Sequence, residues 1–250
     1  ARVLILTSCT YDGLRYDLKP IIEAAHEKGI KVIVDEAWYG FARFHPAFRP
    51  TALESGADYV TQSTHKILSA FSQASMIHVN DPGFDAHLFR ENFNMHASTS
   101  PQYNLIASLD VARKQAVMEG YRLLDRTLKL AQELREKINS TGVFRVLELA
   151  DLLPEEVRED GIQLDPTKLT VDFTRSGFTA DELQQALFER YNVQVEKSTF
   201  STITLLLTIG TTRSKLSRLY DAMLRLAKEN RPARALGRMP EIPHFSRLAC

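Results

Sequence analysis

Apolar positions along the chain fall into two rhythms, short unbroken runs rich in β-branched residues and longer stretches with a helical repeat. The runs at residues 2–7 and 30–34 have the pattern of strands buried on both faces of a parallel sheet. Between them Leu18, Ile21, Ile22 and Ala25 recur at helical spacing, with Pro20 in the first turn and Gly29 as the stop, which predicts a helix over residues 17–28. A β-α-β unit with a right-handed crossover follows. Its second strand ends at Asp35, on the carboxyl edge where open α/β sheets bind their ligands. Residues 7–13 form a polar loop at the same edge, readable equally as a ligand loop or a plain βα turn. Residues 51–57 predict a short helix ending at Gly56, residues 58–62 a strand with Ser63 to Lys66 as its exit loop, and residues 75–79 another strand closed by Asp81-Pro82-Gly83. Residues 41–50 mix aromatics, arginines and prolines without a period, and read as a loop near a site or at a subunit contact.

The second half changes grammar. Leu123, Leu124, Leu128, Ala131, Leu134 and Ile138 place residues 103–138 in a long helix connecting two domains, with Gly120 as a candidate break. After Gly142, strands at 143–147, 169–173, 193–195 and 203–209 alternate with helices. One helix opens on the capping box Thr179 to Glu182 and runs to Tyr191, and another spans about 214–229. Residues 151–161 are acidic and read as an exposed loop. The division expected is a large α/β domain over residues 1–118, a smaller α+β domain over 119–232, and a tail at 233–250 that is a linker or a strap. The chain begins inside a strand pattern, without Met or leader, and so reads as a fragment.

Composition narrows the class of function. With 250 residues, 44% hydrophobic and 25% charged, the chain can bury one large core or two smaller ones. Its 31 basic and 31 acidic residues cancel, leaving no electrostatic footprint for nucleic acid or an anionic membrane, and no apolar run reaches the ~20 residues of a membrane span. Cys9 and Cys250 lie far apart and match no metal-ligand spacing, which fits a cytoplasmic protein without a metal site. No glycine fingerprint follows a strand, which disfavours a dinucleotide-binding protein. Small-molecule chemistry remains.

That chemistry centres on Ser63-Thr64-His65-Lys66, after one strand, and Asp35, at the end of another. A lysine beside hydroxyls and a histidine, paired at a distance with a strand-end carboxylate, is the donor set a pyridoxal-phosphate enzyme needs: the amine holds the cofactor as a Schiff base and the carboxylate keeps its ring nitrogen protonated. Spacing alone also allows an ordinary surface lysine. The sequence Val34-Asp35-Glu36-Ala37-Trp38 with Phe44-His45-Pro46, then Gln62-Ser63-Thr64-His65-Lys66 running into Phe71 to His78, His96-Ala97-Ser98-Thr99-Ser100-Pro101, Leu164-Asp165-Pro166-Thr167-Lys168 and Val195-Glu196-Lys197, resembles the bacterial ornithine/lysine/arginine decarboxylase family of fold-type I.

The resemblance implies an aspartate-aminotransferase-like large domain, present in part, followed by the small domain. It implies pyridoxal 5'-phosphate as cofactor, a basic amino acid as substrate, a homodimer, and product amines of polyamine metabolism. Lys66, Asp35 and His65 become the expected catalytic residues, and Ala37, Trp38 and Ser63 join them around the cofactor. Ser63 and His65 would contact the phosphate or the substrate carboxylate, and Ser98 or Thr99 would reach the cofactor phosphate of the neighbouring subunit. The family's phosphate cradle and its ring-stacking residue are expected before residue 1, so this chain carries about half a pocket. Two alternatives stay open, another fold-type I enzyme such as an aminotransferase, with Arg175 or Arg213 as the carboxylate clamp, and an inactive fragment or scaffold subunit.

Overall fold

A computed structural model of the chain describes residues 2–158, 160–229 and 231–232; the tail expected at 233–250, with Cys250, lies outside the described residues. Strand β1 (Val3–Thr7) leads through the short β2 (Leu14–Arg15) to helix α1 (Leu18–Glu27), which is capped by the Asp17 side chain accepting from the Lys19 N–H. Gly29 follows it at φ 67, a left-handed angle that ends the helix as the sequence predicts. Strand β3 (Lys31–Asp35) pairs parallel with β1 and with β4 (Tyr59–Gln62), and β5 (Met76–Val79) closes the sheet antiparallel to β4, giving the order β1-β3-β4-β5.

The period of two decides what each face of this sheet does. Val32, Val34 and Val60 point toward α1 and pack with Leu18, Ile22 and Ala25. The other face, expected to be buried, is open: Val3 and Ile5 are 47% and 71% exposed, and Ile77 and Val79 lie on the same side. No element among the described residues covers it. Asp35 belongs to that open face, in register with Thr7 on one side and Thr61 on the other.

Residues 51–56 form a hydrogen-bonded turn, closed by the Ser55 N–H on the Thr51 carbonyl, rather than the expected helix; the segment is too short to repeat that bond. The aromatic stretch 41–50 is a packed core. Tyr39, Phe41, Ala42 and Phe48 are buried against Ile67 and Leu124, with Phe41 and Phe48 edge to face at 4.8 Å. The exit of β4 is one helical turn, α2 (Thr64–Ile67), which places Lys66 on a short rigid element rather than a loop.

Helix α3 (Ala86–His96) has no buried residue. Helix α4 (Tyr103–Asn139) is continuous over 37 residues and does not break at Gly120. Glycine stands there because a Cβ would come within 2.8 Å of the Phe44 Cβ. Gly120→Ala therefore sets about 1 kcal/mol of helix propensity against about 1–3 kcal/mol of overpacking at a contact that has no flexible end to yield. The expected outcome in a thermal melt is a net loss of about 1 kcal/mol; a raised melting temperature would contradict the close contact.

The second sheet, order β6-β8-β10-β9, is antiparallel: β6 (Arg145–Val146), β8 (Lys168–Asp172), β9 (Lys197–Ser198) and β10 (Thr202–Leu206). Residues 193–195 are extended without pairing, so the expected strand there shifts to Lys197–Ser198. The acidic segment carries two helical turns, α5 (Leu149–Leu152) and α6 (Glu155–Arg158). Helix α7 (Ala180–Tyr191), with the predicted capping box intact, and α8 (Arg213–Ala227) join the second half of α4 over the core of Leu134, Ile138, Leu169, Leu183 and Met223. One link escaped the sequence reading: β2 pairs with β7 (Gln163–Leu164), and so ties the residues just before β8 to the loop after β1.

Candidate functional site

The carboxyl ends of β1, β3 and β4 bring the expected residues to one edge. Asp35 is exposed there, and its Oδ1 accepts from the Ala37 N–H at 2.8 Å, an Asx turn that starts the Ala37-Trp38 bend. Trp38 is half-buried, and the Lys66 Nζ stands 4.8 Å from the centroid of its ring. Among the described residues no carboxylate lies within ion-pair distance of that amine. The Tyr11 ring meets Trp38 edge on at 5.0 Å, so the polar loop after β1 is part of the site. Ser63 is the residue before α2 and makes no side-chain capping bond, and the Thr64 Oγ1 is buried without a partner among the described residues.

His65 is held by the Ala74 carbonyl, which accepts from its backbone N–H at 3.1 Å and faces its Nδ1 at 2.9 Å. A carbonyl only accepts, so Nδ1 carries a proton and donates to it. Ser98 and Thr99 lie past the end of α3 and are exposed, the Ser98 hydroxyl accepting from the Ser100 N–H at 3.1 Å. Within the described contacts they stand apart from Lys66 and Asp35.

Behind Asp35, on the α1 side of the sheet, Glu36 is only 1% exposed. Its oxygens accept from the Ala52 N–H and the Gln62 Nε2, each at 2.8 Å, and the Gln62 Oε1 meets the His78 Nε2 at 2.9 Å. Burial pushes the Glu36 carboxyl up, against those two hydrogen bonds, and burial pushes the His78 imidazole down. The chain of bonds fixes the strand end that carries Asp35 from the side away from solvent.

Three contributors were not read as site residues. Lys168, at the start of β8, brings its Nζ within 5.9 Å of the Trp38 centroid. Glu196 accepts from the Tyr11 hydroxyl, which is pushed up to about 12 chiefly by that bond, and Thr204 faces the same narrow cleft. The only sequence signal for them was the pair of motifs around Lys168 and Glu196, which carried resemblance but no chemistry. The two arginines offered as clamps are elsewhere: Arg213 is ion-paired with Glu133 of α4 at 2.9 Å, and Arg175 is exposed in a 3-10 turn.

A parallel sheet with a lysine and an aspartate at the ends of adjacent strands, followed by an antiparallel second sheet, is the fold of the fold-type I pyridoxal-phosphate enzymes. An alanine–glyoxylate aminotransferase from Nostoc sp. superposes with a TM-score of 0.65 over 90% of this chain and 61% of its own, at 16% identity, a likeness of fold alone. The sequence matches the family described as Orn/Lys/Arg decarboxylase, major domain, over residues 1–215, and the chain belongs to that family. It is 34% identical to an arginine decarboxylase of Bacillus cereus over 100% of its own length and 54% of the relative's. The lysine decarboxylase of Francisella novicida superposes with a TM-score of 0.76 at 28% identity, over 91% of this chain and 36% of the other. The chain thus spans about half, or less, of the relatives it matches. No helix among the described residues is long and apolar enough to cross a membrane, and no group of side chains among them could hold a metal ion.

Proposed function

We propose that this chain is the lysine-bearing part of a cytoplasmic, homodimeric, pyridoxal-phosphate-dependent decarboxylase, which converts lysine, arginine or ornithine to the corresponding amine of polyamine metabolism. One observation carries the reading: a lysine amine that has no carboxylate partner among the described residues stands on the Trp38 face, at the strand edge that also presents Asp35. The donor set fits the cofactor, with an amine for its aldehyde, a carboxylate for its ring nitrogen, the small Ala37 next to that carboxylate, and a Thr64 hydroxyl without a partner among the described residues.

When bound, pyridoxal phosphate supplies the electron sink for the charge left by departing carbon dioxide. In this reading Lys66 would hold the cofactor through its amine and, once free, would move protons at the reacting carbon. Asp35 keeps the ring nitrogen charged. Trp38 shields the amine from water, while the Ser63 hydroxyl and the His65 ring would donate to the phosphate or the substrate carboxylate. An aminotransferase retains the carboxylate and clamps it, whereas Arg213 is paired with Glu133 and Arg175 is exposed in its turn, which favours the decarboxylase. The test is a product assay on the full-length protein with the three substrates. Carbon dioxide and one amine are expected; a 2-oxo acid in their place overturns the reading.

Ser98 and Thr99 are proposed to complete the partner's site, which accounts for their exposure past the end of an unburied helix. A Lys66→Ala subunit and a Ser98→Ala, Thr99→Ala subunit, each inactive alone, are expected to recover activity when mixed, because the heterodimer holds one intact site. No recovery despite proven subunit exchange would count against a shared site.

A further inference from the structure

The motif Leu164-Asp165-Pro166-Thr167-Lys168 has no part in the mechanism above, yet it places two ionisable side chains where water does not reach. Lys168 is 2% exposed and Asp165 0%. The Asp165 Oδ1 accepts from the Thr167 N–H at 2.9 Å and hydroxyl at 2.7 Å, so the carboxylate closes its own turn, and its Oδ2 has no partner among the described residues. It does not pair with Lys168. The Lys168 Nζ instead reaches across to the loop after β1 and donates to the Thr10 carbonyl at 3.1 Å and the Cys9 sulfur at 3.5 Å. Burial pushes the Cys9 thiol up to about 11, so at neutral pH it is an uncharged acceptor and does not neutralise the lysine.

A buried cation is costly to keep unless it is hydrogen-bonded and held in place. Here the restraints are visible. Asp165 donates its backbone N–H to the Gly13 carbonyl at 2.7 Å, and Gly13 has φ 96, open to glycine and strained for other residues. A Cβ on Gly13 would meet the Lys168 Cβ at 3.2 Å and the Asp165 Cβ at 3.5 Å. The pairing of β2 with β7 clamps the same two segments together. All of this delivers one ammonium to within 5.9 Å of the Trp38 centroid, where Lys66 stands at 4.8 Å. In the same cleft Thr204 is 1% exposed, and its Oγ1 has no partner among the described residues.

We propose that Lys168 is a positioning residue for the Lys66 site: its buried ammonium, held on Thr10 and Cys9, fixes the Trp38 indole against Lys66 and so ties the second sheet to the catalytic turn. The proposal rests on the reading of Lys66 as the cofactor lysine. The attraction of an ammonium for an indole face supplies the force, and the rigidity of the Gly13–Asp165 contact supplies the direction. Lys168 touches Trp38 rather than the reacting atoms, so its loss misplaces the site instead of removing a reactive group.

The test uses the full-length protein and Lys168→Met, which keeps the length of the side chain without its charge. With cofactor and substrate, kcat is expected to fall about 10- to 100-fold, as sub-ångström misplacement of a reacting group does, while KM changes much less. In cofactor-free protein, Trp38 emission, taken as the difference from the matching Trp38→Phe protein, is expected to move to longer wavelength. The two kcat losses are expected to be non-additive, Lys168→Met costing little once Trp38 is Phe. Additive losses, or Trp38 emission unmoved by Lys168→Met, would overturn the proposal. If Lys168→Met does not fold, Lys168→Gln keeps a donor for the Thr10 carbonyl without the charge, and wild-type kcat with unmoved emission in that variant overturns it equally. The emission arm needs neither cofactor nor turnover, so a protein that decarboxylates nothing would sink the functional reading and leave this arm intact.

Discussion

Lys66→Ala in the full-length protein is expected to lower kcat by on the order of 10³-fold or more, about 4 kcal/mol at ~1.36 per decade. The size of this loss separates two roles for the same side chain. As a cation over the Trp38 ring, Lys66 would contribute about 0.5–1 kcal/mol, which corresponds to less than about a tenfold change in rate. As the amine that holds the cofactor and later moves protons, it would contribute the whole step, and the residual rate would come from binding alone. Lys66→Arg sharpens the distinction. A guanidinium keeps the charge and the contact with the indole, but it stays protonated and is no nucleophile, so Lys66→Arg is expected to be as inactive as Lys66→Ala. An arginine variant with near wild-type turnover would reduce Lys66 to a structural cation.

Asp35→Asn is expected to lower kcat by at least ~100-fold, roughly 2.7 kcal/mol, while the cofactor still binds to Lys66. A carboxylate against a pyridinium favours the charged form of both. Asp35 would hold the ring nitrogen charged most strongly where negative charge develops, so its interaction would be worth more in the transition state than in the ground state. Position supports the assignment. Asp35 is the last residue of a strand paired on both sides, its Oδ1 is oriented by the Ala37 N–H, and its neighbour Glu36 anchors the strand end from the opposite face. Restoration by a cofactor carrying a permanent charge at that nitrogen would confirm the role; near wild-type turnover of Asp35→Asn with cofactor fully bound would remove it.

The parallel sheet, its carboxyl edge and the α7 capping box could be read from the sequence because each rests on a local rule: β-branched runs, a crossover with one allowed hand, a side chain closing a helix end. What could not be read depends on contacts distant in sequence. Whether Val3 and Ile5 are covered is decided by chain beyond their own strand, and their run of apolar residues is the same in either case. Residues 41–50 carry no period because edge-to-face rings need none, so a packed core looked like a loop. Gly120 reads as a breaker by propensity and is a packing residue in fact, a distinction only Phe44 makes. That Asp35 and the turn carrying Lys66 meet at one sheet edge was legible from the ends of β3 and β4; Lys168 and Glu196 come from the second sheet, and nothing in their local spacing shows that they face Trp38.

The central claim is that Lys66 carries the cofactor. Borohydride reduction of the full-length holoenzyme followed by peptide mapping tests it directly, since reduction makes the lysine linkage permanent. Three lysines are near enough to compete, and their environments differ: Lys66 has no carboxylate partner among the described residues, Lys197 is paired with Asp12 at 2.8 Å, and Lys168 is held on Thr10 and Cys9. The pyridoxyl group is expected on Lys66 and on neither of the others. A label on Lys168 or Lys197, with Lys66 unmodified, would contradict the account.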